Sequence, residues 1–92
     1  MKNEEIAALF AAGTTKNSSL NKALHICRNG EAIFSYWTCL AERLEDGTYL
    51  LNDTRYSVTS SRHFGEVGYA LRQAGKTYRK VKDVPFGAST LR

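Results

Sequence analysis

The stretch from residue 24 to residue 58 constrains the fold most, because short strand-like runs alternate there with turn signals. Its first run ends at Asn29-Gly30, the dipeptide typical of a type I′ hairpin turn, in which both central residues need positive φ. Later runs are rich in aromatic and β-branched residues. The pattern predicts an antiparallel meander of three to four strands. The predicted strands cover residues 24–28, 32–44 (one bent strand or two), 48–51 and 55–58.

Two segments with apolar residues at helical spacing flank this meander. Residues 4–12 follow Asn3, a favourable N-cap, and begin with two glutamates that suit the positive end of a helix dipole. Gly13 supplies the glycine stop. The second helix is predicted to start from a cap within residues 59–61 and to end at Gly75.

The remaining segments complete an α+β domain that spans residues 1–92. Residues 13–22 are small and polar and are predicted to form a loop. Residues 77–81 read as a final strand that adds to the edge of the sheet, and residues 83–92 as an irregular tail. The expected order is a short N-terminal helix, the meander, a helix packed on the sheet, and a C-terminal strand. Helices then cover one face, and the other stays open to solvent or to a partner.

The cysteines and the N-terminus indicate a cytoplasmic protein without membrane contact. Cys27 and Cys39 are too few for a disulfide framework and are expected to be free thiols, although a bridge is feasible if they face each other across a hairpin. No signal peptide pattern is present. The longest apolar run, residues 6–12, is far shorter than the roughly 20 residues of a membrane span.

Charge is distributed unevenly along the chain, whose formal net charge is +4. Residues 1–53 hold five basic against seven acidic residues, whereas residues 54–92 hold eight basic against two acidic residues. A basic patch of this kind attracts anionic partners and speeds their encounter. Five of the basic residues fall close together: Arg72, Lys76, Arg79, Lys80 and Lys82.

Nucleophilic or metal chemistry would have to use two histidines and two cysteines. His25, Cys27, Cys39 and His63 have the right number and type for zinc, and His25 and Cys27 point to the same side of a strand. Their spacing matches no compact zinc knuckle, and no feature near either cysteine marks a nucleophile. We therefore predict no enzyme activity and no cofactor, with a small zinc or thiol-dependent domain as the remaining alternative.

Nucleic-acid binding is the other chemistry that the residues suggest. Single-stranded nucleic acid is bound where a basic groove lies beside exposed aromatic rings on a sheet. The sequence interleaves aromatic and basic residues, but neither an RRM nor a KH signature appears. The candidate residues for binding a partner or nucleic acid are Tyr36, Trp37, Arg55, Arg62, Arg72, Lys76, Arg79, Lys80 and Lys82.

Two motifs resemble a small family of uncharacterised domains found in phages and plasmids. Residues 35–41 read Ser-Tyr-Trp-Thr-Cys-Leu-Ala, and residues 56–63 read Tyr-Ser-Val-Thr-Ser-Ser-Arg-His. Family members carry Ser-Tyr-x-Thr-x-Ile/Leu-Ala and, later, Tyr-Ser-Val-Thr-Thr-Ser-Lys-His. This chain departs at Ser60 and Arg62, and the resemblance spans residues 33–74. It implies a mobile-element context and carries no assigned activity.

The sequence thus favours a non-catalytic binding protein, monomeric or homodimeric, that inhibits a host nucleoprotein defence complex in the manner of an anti-CRISPR protein. It would contact host protein, either alone or together with guide RNA or DNA. The alternative is a stand-alone domain that binds single-stranded nucleic acid.

Overall fold

The computed structural model describes residues 3–19, 24–54 and 58–92. Two helices and six short strands follow one another along the chain. Their bounds are α1 Asn3–Ala11, β1 Ser18–Ser19, β2 Leu24–Cys27, β3 Ala32–Ser35, β4 Thr38–Arg43, β5 Tyr49–Asn52, α2 Val58–Gln73 and β6 Tyr78–Val81.

The six strands form one sheet in which neighbours in sequence are neighbours in space. The first five strands pair antiparallel, as a meander. After the α2 crossover, β6 pairs parallel with β5 and lies at the edge of the sheet. β4 carries a bulge, because Ile33 of β3 pairs with Ala41 whereas Phe34 pairs with Cys39. The bulge leaves Leu40 without a partner across the ladder and turns Leu40 and Ala41 toward the same core.

Both helices pack on one face of the sheet and form the main hydrophobic core there. Phe10 of α1 and Leu71 of α2 are fully buried, and the Phe10 ring meets Tyr49 of β5 edge-on at 5.3 Å between centroids. Each helix ends with a glycine in the left-handed region. For α2, Gly75 has φ +70°, and the amide of Lys76 donates to the carbonyl of Leu71 at 3.0 Å. This is a Schellman C-cap, as the glycine pattern predicts.

The opposite face of the sheet is covered by the C-terminal segment, residues 83–92. Val84 and Leu91 are buried there in a second, smaller core with Phe34, Cys39 and Leu50. The segment contains no helix or strand, so the prediction of an irregular tail is correct in secondary structure. The expectation that this face stays open is wrong, because the segment packs on it.

Two tight turns shape the meander. Between β2 and β3, the amide of Glu31 donates to the carbonyl of Arg28, and Asn29 and Gly30 have φ of +56° and +86°. The predicted type I′ turn is confirmed. Between β3 and β4 the loop has only two residues, Tyr36 and Trp37, so the run 32–44 forms two strands.

Other boundaries differ from the sequence-based predictions. Strand β1, residues 18–19, lies within the predicted loop 13–22, of which residues 20–22 are outside the described ranges. The predicted strand 55–58 is wrong at Val58, which begins α2; residues 55–57 lie outside the described ranges. α2 therefore begins before the cap predicted within residues 59–61, and that prediction is wrong. The α+β class, the N-terminal helix, the meander, the packed helix and the final strand are confirmed.

Candidate binding surfaces

The predicted basic cluster lies along one edge of the sheet. Arg79 and Lys80 occupy the middle of β6 and point to opposite faces, because they pair with Leu50 and Leu51 respectively. Lys82 follows the strand. We call this surface the basic edge, and its residues are Arg72, Arg79, Lys80, Lys82 and Arg92.

Two shallow grooves flank the basic edge, one on each face of the sheet. On the helix side, Arg72 from α2 and Lys80 line a groove of about 390 Å³. On the other side, a groove of about 570 Å³ is lined by Arg79, Lys82 and Arg92, the last of which comes from the C-terminal segment. The cations therefore come from three separate elements. Sequence proximity predicts most of this grouping, but Arg92 joins only because the C-terminal segment folds back.

Arg62 does not belong to the basic edge. It is exposed on α2 and lines a third groove, of about 630 Å³, between the outer surfaces of α1 and α2. We call this surface the helix groove. Its lining is mostly small or aromatic, with two carboxylates: Glu4, Ala8, Arg62, Gly65, Glu66, Tyr69, Ala70, Gln73 and Ala74.

Glu66 is the unusual group of the helix groove. Its Oε2 atom is buried and accepts no hydrogen bond in the described part of the chain. Burial, followed by the charge of nearby Glu4, raises the pKa of Glu66 above its ordinary value of 4.5, and Arg62 partly offsets this effect. The sequence alone gives no sign of the groove, since its walls come from two helices that are far apart along the chain.

Tyr36 and Trp37 form an exposed aromatic knob at the β3–β4 turn, here called the hairpin tip. Their side chains are 45% and 73% exposed, and their ring centroids lie 6.2 Å apart. Phe86, which is 71% exposed, lies nearby because the amide of Gly87 donates to Thr38 Oγ1 at 2.9 Å. Tyr36 has φ +54°, whereas a bulky residue is rarely found in the left-handed region.

The four residues considered for metal or thiol chemistry are divided between the two faces of the sheet. His63 is buried on the helix side, where its Nδ1 lies 2.7 Å from Ser35 Oγ. His25, Cys27 and Cys39 are on the other side, by strand alternation and pairing. Within the described ranges, no three or more His, Cys, Asp or Glu side chains are grouped to hold a metal ion.

Both cysteines are free thiols, as predicted. They lie on β2 and β4, two strand spacings or roughly 9.5 Å apart, and are further offset by two residues along β3, so the alternative of a bridge is wrong. Burial, with a further contribution from Glu42, raises the pKa of Cys39 to about 12, and burial also raises the pKa of Cys27. Neither thiol is poised to ionise near neutral pH.

Glu42 is a buried carboxylate that holds the C-terminal segment on the sheet. Thr90 Oγ1 donates to Glu42 Oε1 at 2.6 Å, and the amide of Leu91 donates to the same oxygen. Arg28 and Arg92 each lie 3.4 Å from Oε2. Burial acts to raise the pKa of Glu42, but these hydrogen bonds and charges outweigh it and lower the pKa below 4.5.

The last predicted site residue, Arg55, lies outside the described ranges. The structure thus brings together Arg72, Arg79, Lys80 and Lys82 along the two grooves, and places Arg62 and the Tyr36–Trp37 pair elsewhere. Lys76 lies between α2 and β6 and lines neither groove. None of the helices in the described ranges is long and apolar enough to cross a membrane.

Residues 6–83 of the chain match DUF8033, a family of unknown function. The match covers most of the 92 residues, and the chain belongs to this family. It includes residues 6–11 of α1, the whole sheet and α2, and ends at residue 83, where the C-terminal segment begins. No curated protein and no solved structure matches the chain.

Proposed function

We propose that the protein is a non-catalytic binding module that contacts the polyanionic component of a nucleoprotein complex through its basic edge. One observation carries this proposal: five cations, from α2, from β6 and the residue after it, and from the C-terminal segment, line the two grooves along one edge of the sheet. Clustered lysines and arginines on one surface are the electrostatic footprint of a phosphate-bearing partner.

Charged residues on an edge strand have a second use, because they prevent edge-to-edge pairing with another sheet. That use requires charge only on the strand itself, as Arg79 and Lys80 provide. Arg72 and Arg92 lie on other elements and line grooves on either side of the strand. Their convergence is what a bound polyanion would require, and it favours ligand binding.

The resemblance to phage and plasmid domains supplies the biological setting of the proposal. A small basic protein of a mobile element is suited to block a host defence complex that contains guide RNA or DNA, as anti-CRISPR proteins do. Such a complex would be met in the cytoplasm of the host bacterium. We expect the basic edge either to take the place of nucleic acid in that complex or to bind the nucleic acid directly.

Recovery of tagged protein from bacterial host cells, with and without nuclease treatment, tests whether the partner is a host nucleoprotein complex. We expect one protein complex that survives the nuclease, because an inhibitor contacts protein as well as nucleic acid. Recovery that vanishes with nuclease would instead identify a stand-alone nucleic-acid binder. If the tagged protein recovers neither protein nor nucleic acid in either condition, the inhibitor and the stand-alone nucleic-acid binder are both contradicted.

A matched pair of double variants tests the surface. Arg79→Gln with Lys80→Gln removes two charges from the basic edge, and Lys16→Gln with Arg62→Gln removes two exposed charges elsewhere. Binding to a single-stranded oligonucleotide is measured by anisotropy across a salt series. The slope of the logarithm of the binding constant against the logarithm of the salt concentration should become less steep by about 1.4 in the edge variant. Each of the two lost phosphate contacts accounts for about 0.7. Equal effects of the two variants would show that overall charge, not the edge, drives binding.

A further inference from the structure

Arg92 belongs both to the basic edge and to the anchor that holds the C-terminal segment on the sheet. Its side chain lines the groove of about 570 Å³ together with Arg79 and Lys82, here called the cation groove. Its Nε atom lies 3.4 Å from Oε2 of the buried Glu42. The guanidinium has four further N–H donors on its two terminal nitrogens. The side chain remains 53% exposed in this ion pair, so it can contact a phosphate without leaving Glu42.

Glu42 orders the backbone that carries Arg92 as well as the arginine side chain. Thr90 Oγ1 donates to Glu42 Oε1 at 2.6 Å, and the amide of Leu91 donates to the same oxygen. Residues 90–92 belong to neither a helix nor a strand, so these side-chain contacts take the place of a backbone ladder. A free arginine loses rotamer entropy when it binds an anion. An arginine that is already ordered loses less, and it binds the anion more tightly.

The charge of Glu42, taken alone, acts against an anion. The carboxylate lies 3.4 Å from both Arg28 and Arg92, and two guanidinium groups with one carboxylate leave a net charge of +1. Electrostatics alone therefore predicts that neutralising Glu42 strengthens the attraction for a polyanion. Loss of the order that Glu42 imposes on Arg92 predicts the opposite. The two effects differ in sign, and an affinity measurement separates them.

We propose that Glu42 is a positioning residue of the basic edge, which holds Arg92 where a phosphate of the polyanion meets the cation groove. Polyanion binding in turn holds the C-terminal segment on the sheet. This inference rests on the proposed function and adds a linkage to it. If docking of the segment raises the affinity for the polyanion by some factor, the polyanion favours docking by the same factor.

Three single variants test the sign of the effect, with binding of a single-stranded oligonucleotide measured by anisotropy across a salt series. Glu42→Gln should weaken binding, and the slope of the logarithm of the binding constant against the logarithm of the salt concentration should become less steep by about 0.7, as for one lost phosphate contact. Arg92→Gln should have the same effect. Glu45→Gln is the matched control, because it removes the same charge at an exposed position, and it should not weaken binding.

The double variant Glu42→Gln with Arg92→Gln separates positioning from a general loss of stability. If Glu42 acts through Arg92, the double variant should bind no more weakly than Arg92→Gln alone. Further weakening in the double variant would overturn the proposal. Thr90→Ala loosens residues 90–92 without changing any charge, and it replaces Glu42→Gln if that protein does not fold. Thr90→Ala should then weaken binding, and unchanged binding would overturn the proposal.

The reverse effect is measured at Cys39, which is buried in the core that the C-terminal segment completes. The amide of Cys39 donates to the carbonyl of Ala88, so alkylation of this thiol reports undocking of the segment. Cys27→Ala leaves Cys39 as the one thiol of the chain. Saturating oligonucleotide should slow the alkylation of this protein, and adding Arg92→Gln should abolish the protection. Equal alkylation rates with and without oligonucleotide, or equal protection in both proteins, would overturn the linkage.

The same measurements separate this inference from the proposed function. Binding that is weakened by Arg79→Gln with Lys80→Gln but not by Glu42→Gln would overturn the positioning role of Glu42 and leave the proposed function standing. A wild-type protein that does not bind the oligonucleotide would overturn the proposed function, and this inference with it.

Discussion

The two faces of the sheet are covered by different means, and the difference explains where polar residues are buried. On one face, α1 and α2 satisfy their own backbone hydrogen bonds and need only an apolar surface from the strands. On the other face, the C-terminal segment has no internal ladder, so its amides need partners from the sheet. Those partners are the side chains of Glu42, Thr38 and Thr54.

The polar positions of the second face act as anchors along the segment. The amide of Val84 donates to Thr54 Oγ1 at 2.9 Å, and the carbonyl of Ala88 accepts from the amide of Cys39 at 2.9 Å. Glu42 fixes the far end at residues 90–92. An irregular cover thus depends on a few polar contacts, whereas a helical cover depends on apolar area. The following predictions test this contrast, from the largest expected effect to the smallest.

Truncating the helix-side core should have the largest effect. Phe10→Ala removes a fully buried ring that contacts Tyr49, and should lower the free energy of unfolding by about 3–5 kcal/mol. Chemical denaturation measures the loss. Leu9→Ala, at an adjacent exposed position, is the control and should cost far less. A similar loss in both variants would show that burial of the Phe10 ring is not the main way in which α1 stabilises the fold, because alanine raises helix propensity at both positions.

Removing the charge of Glu42 should lower the free energy of unfolding by an intermediate amount, and the change should be confined to the face that the C-terminal segment covers. Glu42→Gln weakens the contacts to Thr90, Leu91 and Arg92, and should cost about 2 kcal/mol, the scale of hydrogen bonds to a charged group. The amides of Gly87 and Leu91 should exchange with solvent faster, and Cys39 should become accessible to alkylation.

The exposed substitution Glu45→Gln serves as the control for Glu42→Gln. It should leave exchange and alkylation unchanged. If Glu42→Gln leaves Cys39 protected, the second face is held by apolar contacts and the contrast between the faces is wrong.

Lowering the pH should reduce stability first through His63 on the helix side of the sheet and then, at lower pH, through Glu42 on the side of the C-terminal segment. The loss of stability should be smallest near neutral pH. Burial, with a further contribution from Arg62, holds the pKa of His63 below its ordinary value of 6.5. The unfolded chain therefore takes up this proton first, and stability falls as pH drops below 6.5 toward the lower folded pKa. Glu42 also has a lowered pKa, so its contribution is present above 4.5 and is lost at still lower pH.

Two variants separate these acid transitions. His63→Gln should remove the first decline in stability and Glu42→Gln the second, each measured by denaturation across a pH series. A first decline that is unchanged in His63→Gln would assign it to another group. The order of the two declines distinguishes the helix side from the side of the C-terminal segment.

Local signals predicted most of the fold. Gly13 and Gly75 ended the helices where expected, and Asn29-Gly30 placed the first hairpin, because left-handed backbone favours these residues. The Tyr36–Trp37 turn was missed because neither residue is typical of a turn. The anchoring of residues 83–92 was missed because Glu42 and Leu91 are far apart in sequence, and no periodicity links an irregular segment to a sheet.

The binding surfaces were predictable only where neighbours in sequence remain neighbours in space. Arg79, Lys80 and Lys82 met that condition, and Arg62 did not, because α2 turns it toward the helix groove. The helix groove depends on the packing of α1 against α2, which the sequence pattern does not specify. The strain at Tyr36 likewise became visible only in the backbone geometry.

The parallel pairing of β6 with β5 has a consequence for the order of folding. The antiparallel strands β2 to β5 close short loops, whereas the connection from β5 to β6 includes the whole of α2. Closing this longer connection costs more chain entropy before any contact compensates for it. We therefore expect β6 to be the last strand to dock. A polyanion that needs the aligned cations of the basic edge would then distinguish the finished domain from its folding intermediates.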